Sequence, residues 1–280
     1  MKMKLLTGCF FLILFSQTTL AQFYYKDIVV TRQTRDRWKL YKTNKVRSVK
    51  LSSFESDGQP SEGFEGDQEI SGDFSLVTTH TRSNRSADSR LMAWYSPDGL
   101  PNKTEDTSDT YRSVSEYQYD PAGRLLSITN TSTETDNKVQ AVEQHLWSYN
   151  GKGGPSGMMK IRNGSDTTFV RFVPDEKGNI AEEHAIRNRT ELPTVYYYYD
   201  ADNRLTDIVR YNPGAQKLLP DYIFEYDVAG KIASMLMVPE QGSNEYQKWV
   251  YEYNGKDLKV KESCFNKRRE LMGMVEYAYK

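Results

Sequence analysis

Tyr117-Gln118-Tyr119-Asp120-Pro121-Ala122-Gly123-Arg124-Leu125 is the clearest copy of a phrase that returns eight times along the chain. Other copies centre on Tyr95-Ser96-Pro97-Asp98-Gly99, Trp147-Ser148-Tyr149-Asn150, Phe172-Val173-Pro174-Asp175 and Tyr197-Tyr198-Tyr199-Asp200. Phe224-Glu225-Tyr226-Asp227, Tyr251-Glu252-Tyr253-Asn254 and Tyr277-Ala278-Tyr279 complete the set. Reference positions 95, 119, 149, 174, 199, 226, 253 and 279 lie 24–30 residues apart, a period that reads as a repeat architecture.

Each copy has the chemistry of a β-hairpin. Tyr117 and Tyr119 fall on one face of a strand, Glu116 and Gln118 on the other. The first turn position is Ser96, Asp120, Asn150, Asp175, Asp200, Asp227 or Asn254, whose side-chain oxygen can accept from the turn backbone. Pro97 and Pro121 fall second, where a fixed φ suits a type I turn. The fourth position is Gly99, Gly123, Gly153, Gly178, Asn203, Gly230 or Asp257, residue types that tolerate positive φ and a following bulge. Asp120, Gly123, Asp200, Asn203, Asp227 and Gly230 are thus read as structural turn residues. The expected fold is all-β: antiparallel hairpins forming a meandering, curled sheet. The pattern gives strands of about 5–8 residues, an aromatic buried face and no helical apolar period after residue 22.

Tyr119-Asp120-Pro121-Ala122-Gly123-Arg124-Leu125, Tyr199-Asp200-Ala201-Asp202-Asn203-Arg204-Leu205 and Tyr226-Asp227-Val228-Ala229-Gly230-Lys231-Ile232 resemble the YD repeat of the Rhs family. The resemblance covers residues 90–280 and implies a curled, hairpin-built β-sheet. Large Rhs proteins form a hollow shell, often around a C-terminal toxin. Here the repeats are too few for a large shell, and neither a core-associated protease segment nor a domain beyond the last repeat is recognisable, so the toxin-delivery role does not carry over.

Residues 1–21 read as a secretory signal: Lys2 and Lys4, an apolar run from Leu5 to Phe15, then Thr19-Leu20-Ala21 before Gln22. The run is shorter than the roughly 20 residues a spanning helix needs. Leu6-Thr7-Gly8-Cys9 mimics a lipoprotein box but precedes most of the apolar run, so lipidation at Cys9 is not expected. The chain is expected to be exported to the periplasm, the cell surface or the medium. The expected organisation is an irregular β region over 22–90, a candidate cap, followed by one continuous repeat domain over 91–280. Cys264 would be the one mature cysteine, so no internal disulfide is expected.

Of the charges, 37 basic and 38 acidic, removal of Lys2 and Lys4 leaves 35 against 38, a net of −3. This makes no case for nucleic acid as a partner. His80, His145 and His184 are scattered, no metal-ligand spacing or nucleophile elbow is present, and no cofactor or enzymatic activity is expected. Tyr196 and Tyr198 break the polar face of their strand, and Ile223 and Val250 stand at the position equivalent to Tyr196. These four are the candidate ligand-binding residues, with a glycan or an envelope protein as partner. The main functional expectation is a non-catalytic exported module, structural or binding, at the cell envelope. The alternatives are an outer-membrane β-barrel and a carbohydrate-active enzyme. Strands of about 5–8 residues fall short of the roughly 9–11 a spanning strand needs, so no stable membrane insertion is expected.

Overall fold

The computed structural model describes residues 23–84, 86–136, 138–238 and 245–280. The signal expected at 1–21, with Cys9, lies outside them.

The turn rule sets the local geometry. At Asp120, Oδ1 accepts from the backbone N–H groups of Ala122 and Arg124, both at 2.9 Å. The Gly123 N–H donates to the Asp120 carbonyl at 2.9 Å, and the Asp120 N–H to the Arg124 carbonyl at 2.9 Å. Asn150, Asp175, Asp200, Asp227 and Asn254 repeat this side-chain pattern. The fourth residue is left-handed each time, with φ of 76° at Gly123, 59° at Asn203 and 62° at Asp257. A bulge follows: the ladders shift register at Gln118/Tyr119, Ser148/Tyr149, Tyr198/Tyr199, Glu225/Tyr226 and Glu252/Tyr253. Such bulges bend the strand and raise its twist, which curls the sheet.

A second device links one hairpin to the next. The tyrosine before the turn donates its hydroxyl to a backbone carbonyl of the preceding hairpin. Tyr119 reaches Pro101 at 2.9 Å, Tyr149 reaches Leu125 at 2.7 Å, and Tyr199 reaches Ile180 at 2.9 Å. Tyr226 reaches Leu205 at 2.8 Å, Tyr253 reaches Ile232 at 2.9 Å and Tyr279 reaches Lys259 at 2.5 Å. Between hairpins the ladders stop short of the turns; the last pair between β7 (Leu125–Glu134) and β8 (Gln140–Tyr149) is Ser127 with Leu146. The hydroxyls therefore pair carbonyls where no strand neighbour does. This explains why the position is tyrosine and not phenylalanine. The basic residue after the turn adds to the link: Arg124 is held by Asp120 and lies 4.9 Å from the Tyr149 ring centroid, and Arg204 repeats this over Tyr226 at 4.7 Å.

All ladders are antiparallel, and the sheet closes. The ring runs in chain order from β1 (Ser48–Glu55) through β2 (Glu65–Ile70) and β3 (Leu76–Ser83) to β19 (Leu271–Tyr279), which returns to pair with β1. Register at the closing seam runs from Val49 opposite Tyr279 to Glu55 opposite Gly273. The two-residue β12 (Thr190–Glu191) is a side excursion, since β11 (Ile180–Arg187) also pairs directly with β13 (Val195–Tyr199). The result is a closed barrel of 18 strands built from consecutive hairpins. Residues 48–83 supply β1 to β3 of this same sheet.

Seven strands are longer than the 5–8 residues read from the sequence; the other eleven of the ring are not. β4 (Ser86–Tyr95), β7, β8 and β15 (Lys217–Tyr226) have ten residues; β6 (Tyr111–Tyr119), β10 (Asp166–Pro174) and β19 have nine. The reason is plain in β7, whose second half is Thr129-Asn130-Thr131-Ser132-Thr133-Glu134. It is polar on both faces, so the alternation that marks a strand is absent although the pairing continues.

The chain also contains a helix, α1 (Lys26–Thr43), contrary to the expectation of none. Phe23 stands 5.6 Å from Tyr222 on β15, and Tyr25 is 5.5 Å from Tyr197 on β13, ring to ring. At the other end Trp38 is 6.4 Å from Tyr95 on β4, and Tyr41 is 6.1 Å from Tyr279 on β19. These strands lie on opposite arcs of the ring, so α1 crosses the lumen from wall to wall. Eighteen residues at about 1.5 Å each give about 27 Å for that crossing. Two apolar cores result, one around each end of the helix. Its middle, including Arg32, Gln33 and Asp36, stays exposed, so no continuous apolar stripe marks it in the sequence.

Candidate functional site

Two places concentrate chemistry: the seat of the helix inside the barrel and a groove on the outer rim.

The helix brings no cap of its own; Tyr25, at the N-cap, makes no side-chain capping bond. The wall supplies one. Glu183 on β11, only 1% exposed, accepts from the backbone N–H of Tyr24 at 2.8 Å and of Tyr25 at 2.9 Å. The Tyr197 hydroxyl donates to the same oxygen at 2.6 Å. A carboxylate here satisfies orphan helix donors and complements the helix dipole. Asp27, in the first turn, sits 2.6 Å from Nδ1 of His145 and accepts from the Trp147 indole at 3.3 Å. Nε2 of His145 lies 3.1 Å from Glu143, which also pairs with Lys160 at 2.8 Å. Every one of these wall partners comes from β8, β9 (Pro155–Arg162), β11 or β13.

The C-terminal end is held differently. The Trp38 indole donates to the Phe74 carbonyl at 2.7 Å and packs against Gly99, where a Cβ would come within 2.3 Å of the ring. Lys42 lies 4.5 Å from the same ring, and Tyr41 donates to Gln68 at 3.0 Å. Gly99 is therefore doubly constrained, by a φ of 80° and by the indole.

The rim groove, about 520 Å³, is bordered by the turns at Asp175 and Asp200 and by Tyr196 and Tyr198. Asn179, Glu182 and Asn203 also line it. Tyr198 is 48% exposed. Ile223 shares a register row with Tyr198 through Asp207, whereas Val250 stands in the next row, opposite Ser234. Neither Ile223 nor Val250 reaches the groove, so the four candidate residues divide into a pair at the groove and a pair farther along the outer face.

Outward positions differ around the ring. Leu146, Met159, Phe169 and Ile186 form one continuous row across β8 to β11, with Phe169 60% exposed. On the neighbouring arc, β2 to β6 turn Asp67, Arg90, Lys103, Glu105, Arg112 and Glu116 outward. Among the described residues, no group of three or more His, Cys, Asp or Glu is arranged to hold a metal ion, and no helix is long and apolar enough to cross a membrane.

The helix seat was not legible as a site. Glu183 and His145 occupy inward positions of their strands, which is a signal only once the inward face is known to meet a helix.

No family model and no curated protein matches the chain. Among solved structures it is similar to a porin-like protein from Bacteroides uniformis, at 10% identity and a TM-score of 0.41, over 84% of this chain and 98% of that one. A porin-like protein from Bacteroides vulgatus is similar at 11% identity and a TM-score of 0.31, again over 84% and 98%. A chain of the Photorhabdus luminescens Tc holotoxin pore is similar at 9% identity and a TM-score of 0.31, over 78% of this chain but 15% of that one. Membership of the Rhs family, suggested by three Tyr-Asp copies, is not supported by any family match.

The expectation of no stable membrane insertion is corrected. It rested on an open sheet of strands of about 5–8 residues; eleven ring strands have that length, but seven run nine or ten, the length a tilted spanning strand needs, and the sheet closes into a ring.

Proposed function

We propose that this chain is an exported, outer-membrane-type β-barrel with a lumen spanned by its own helix, working without turnover or cofactor as a structural or binding module of the envelope. The observation that carries the reading is the closed, even-numbered, next-neighbour antiparallel ring with α1 across its lumen. An even-stranded ring with an internal helix is one of the forms that outer-membrane barrels take. Lipid contact is assigned to the β8–β11 side, where the Leu146-Met159-Phe169-Ile186 row faces out. Arg or Lys at the bilayer midplane costs roughly 2–4 kcal/mol each, so the β2–β6 side, with Arg90, Lys103 and Arg112, faces water or another protein.

The rim groove is the recognition surface in this reading. Exposed tyrosine rings beside carboxylates and amides suit a glycan, which stacks on the rings and hydrogen-bonds to Asp175, Asn179 or Glu182. Expression in a bacterium with two membranes tests the first part. The mature chain should fractionate with the outer membrane, resist alkaline extraction and need detergent for solubility. A detergent-free, monomeric periplasmic protein would refute the membrane assignment. A glycan array with wild type and a Tyr196→Ser/Tyr198→Ser variant tests the second; equal binding by both would remove the groove from consideration.

A further inference from the structure

The charge of α1 differs from that of the chain around it. The helix carries Lys26, Arg32, Arg35, Arg37, Lys39 and Lys42 against Asp27 and Asp36, whereas the whole sequence is nearly balanced at 37 basic and 38 acidic residues. Four of these bases, Arg32, Arg35, Lys39 and Lys42, recur at helical spacing and share one side of the helix. That side faces the end of the barrel that bears the Asp and Asn turns. Arg35 Nε donates to the Asp98 carbonyl at 3.1 Å and Lys42 Nζ to the Pro97 carbonyl at 3.5 Å, both in the turn after β4. Arg32 lies close to Tyr25 and Tyr199, and Tyr199 immediately precedes the turn at Asp200. The stripe is open to solvent although it lies within the ring: Arg32 and Lys42 are exposed, and the Lys39 side chain is 53% exposed. The turn-side mouth is therefore an open well with the helix as its floor.

The wall of this well also carries cations, but each is matched. Arg124 and Arg204 are held by Asp120 and Asp200, and Lys231 by Asp257. On the floor Lys39 has such a partner, Asp36 at 3.3 Å; among the described residues no carboxylate is within ion-pair reach of Arg32, Arg35 or Lys42. The helix itself gains little from the stripe. Bases complement the dipole in the last turn, which accounts for Lys42, but Arg32 and Arg35 lie far from that end. Like charges three or four residues apart repel, so Arg32 with Arg35, Arg35 with Lys39 and Lys39 with Lys42 each weaken the helix that carries them.

We propose that this stripe is the floor of a binding site for an acidic oligosaccharide, one bearing carboxylate or sulfate groups, laid along α1 in the turn-side mouth. From Arg32 to Lys42 the helix rises about 15 Å at about 1.5 Å per residue, which sets one cation about every 5 Å. Such a linear array suits a chain with one anion per sugar ring better than a single compact phosphate. A single-stranded nucleic acid needs bare rings on which its bases stack. Here the wall rings of Tyr149, Tyr226 and Tyr253 are covered by Arg124, Arg204 and Lys231. The site is separate from the outer groove at Tyr196 and Tyr198, and it rests on the fold and not on the membrane reading.

Calorimetric titration of the purified mature chain, in buffer or in detergent as its solubility requires, tests this. A galacturonate hexamer and a heparin-derived hexamer are the carboxylate and sulfate probes, and maltohexaose is the neutral control. Inorganic phosphate and a thymidylate hexamer are the competing anions. Wild type should bind at least one acidic hexamer and not the neutral one, with affinity falling as salt is raised. Arg32→Gln plus Lys39→Gln, which leaves both carbonyl contacts to the wall in place, should weaken that binding by about tenfold or more, the loss expected for two charge-assisted contacts. Lys39→Gln alone is the milder variant should the pair fold poorly, with an expected loss of about threefold. The Tyr196→Ser/Tyr198→Ser variant should bind as wild type does. Binding of neither acidic hexamer, equal binding by wild type and the helix variants, or tighter binding of phosphate or of the thymidylate hexamer would overturn the proposal. Loss of binding in the tyrosine variant alone would move the acidic sugar to the outer groove and overturn the floor as its site. A groove that binds no glycan on the array leaves the floor untouched, so the two readings fail separately.

Discussion

Removing one hydroxyl from the link between hairpins should weaken the ring by a measurable amount. Tyr226→Phe keeps the ring and its contact with Arg204 but deletes the bond to the Leu205 carbonyl. A net hydrogen bond is worth about 0.5–1.5 kcal/mol, so the expected loss is about 1 kcal/mol, against the roughly 3–5 kcal/mol of removing a large aromatic altogether. Tyr119, Tyr226 and Tyr279 lie on well-separated strands, and effects at distant sites add. The triple Tyr→Phe variant should therefore lose about 3 kcal/mol. For a chain of this size each kcal/mol shifts Tm by about 2–4 °C, so the triple variant should melt roughly 6–12 °C lower. Tyr211→Phe is the control, since Tyr211 points outward and is 49% exposed; its effect should stay within about 0.5 kcal/mol. Equilibrium unfolding in urea and thermal scans of wild type, Tyr226→Phe, the triple variant and Tyr211→Phe measure this. A triple variant no less stable than the Tyr211→Phe control would refute the view that these hydroxyls hold neighbouring hairpins together.

Gly99→Ala should cost more than Gly123→Ala, because both are left-handed but only Gly99 faces the Trp38 indole; tryptophan fluorescence should change for the first alone. Asn203→Val should lose about 1–2 kcal/mol by denaturant titration, since a β-branched residue is strained at φ of 59°, while Asn203→Gly should be tolerated. Asp120 and Asp200 are held below the usual carboxylate range by backbone donation from Arg124 and Arg204, and Asp73 is held at about 2 by Ser71 and Ser75. A folded-state pKa below the unfolded value means the stabilisation is present above about pH 4 and lost as pH falls through the folded value. Urea midpoints should therefore drop between about pH 4 and pH 2, and Asp120→Asn should flatten part of that drop. Its stability at neutral pH should change little, because Asn150 and Asn254 already fill the same role with an amide oxygen.

The hairpins were legible because their chemistry is local. An Asp or Asn followed three residues later by Gly, Asn or Asp states a turn whatever lies elsewhere in the chain. The inward face was legible for the same reason: Tyr119, Tyr149, Tyr226 and Tyr253 are half-buried while Gln118, Ser148, Glu225 and Glu252 are exposed. Closure was not, since nothing in Val49 or Tyr279 alone specifies that they face each other across a seam 230 residues apart. The outer halves of β6 and β7 were hidden because both faces are polar, one toward water outside and the other toward the lumen. The helix was hidden for a related reason. Its two ends pack on different walls and its middle, held only by Arg35 to the Asp98 carbonyl, buries no apolar face, so periodicity had no single face to report. Tyr196 and Tyr198 stood out correctly as aromatic positions on the outer face. Their neighbours in the groove, Asp175 and Asn179, come from the preceding hairpin and carry no sequence mark of that proximity.

The crossing helix also acts as a ruler. The same tyrosine-to-carbonyl bond recurs at six hairpins, so nothing in the repeat itself fixes how many hairpins the ring takes. Two further strands, at about 4.8 Å apart and tilted by roughly 40°, would widen the ring by about 4 Å. At about 1.5 Å per residue, α1 would then need nearly three more residues to keep both Glu183 at one end and Phe74 at the other. Ring size and helix length are thus coupled dimensions, and a gain or loss of one repeat calls for a matching change in a segment that shares no sequence with it.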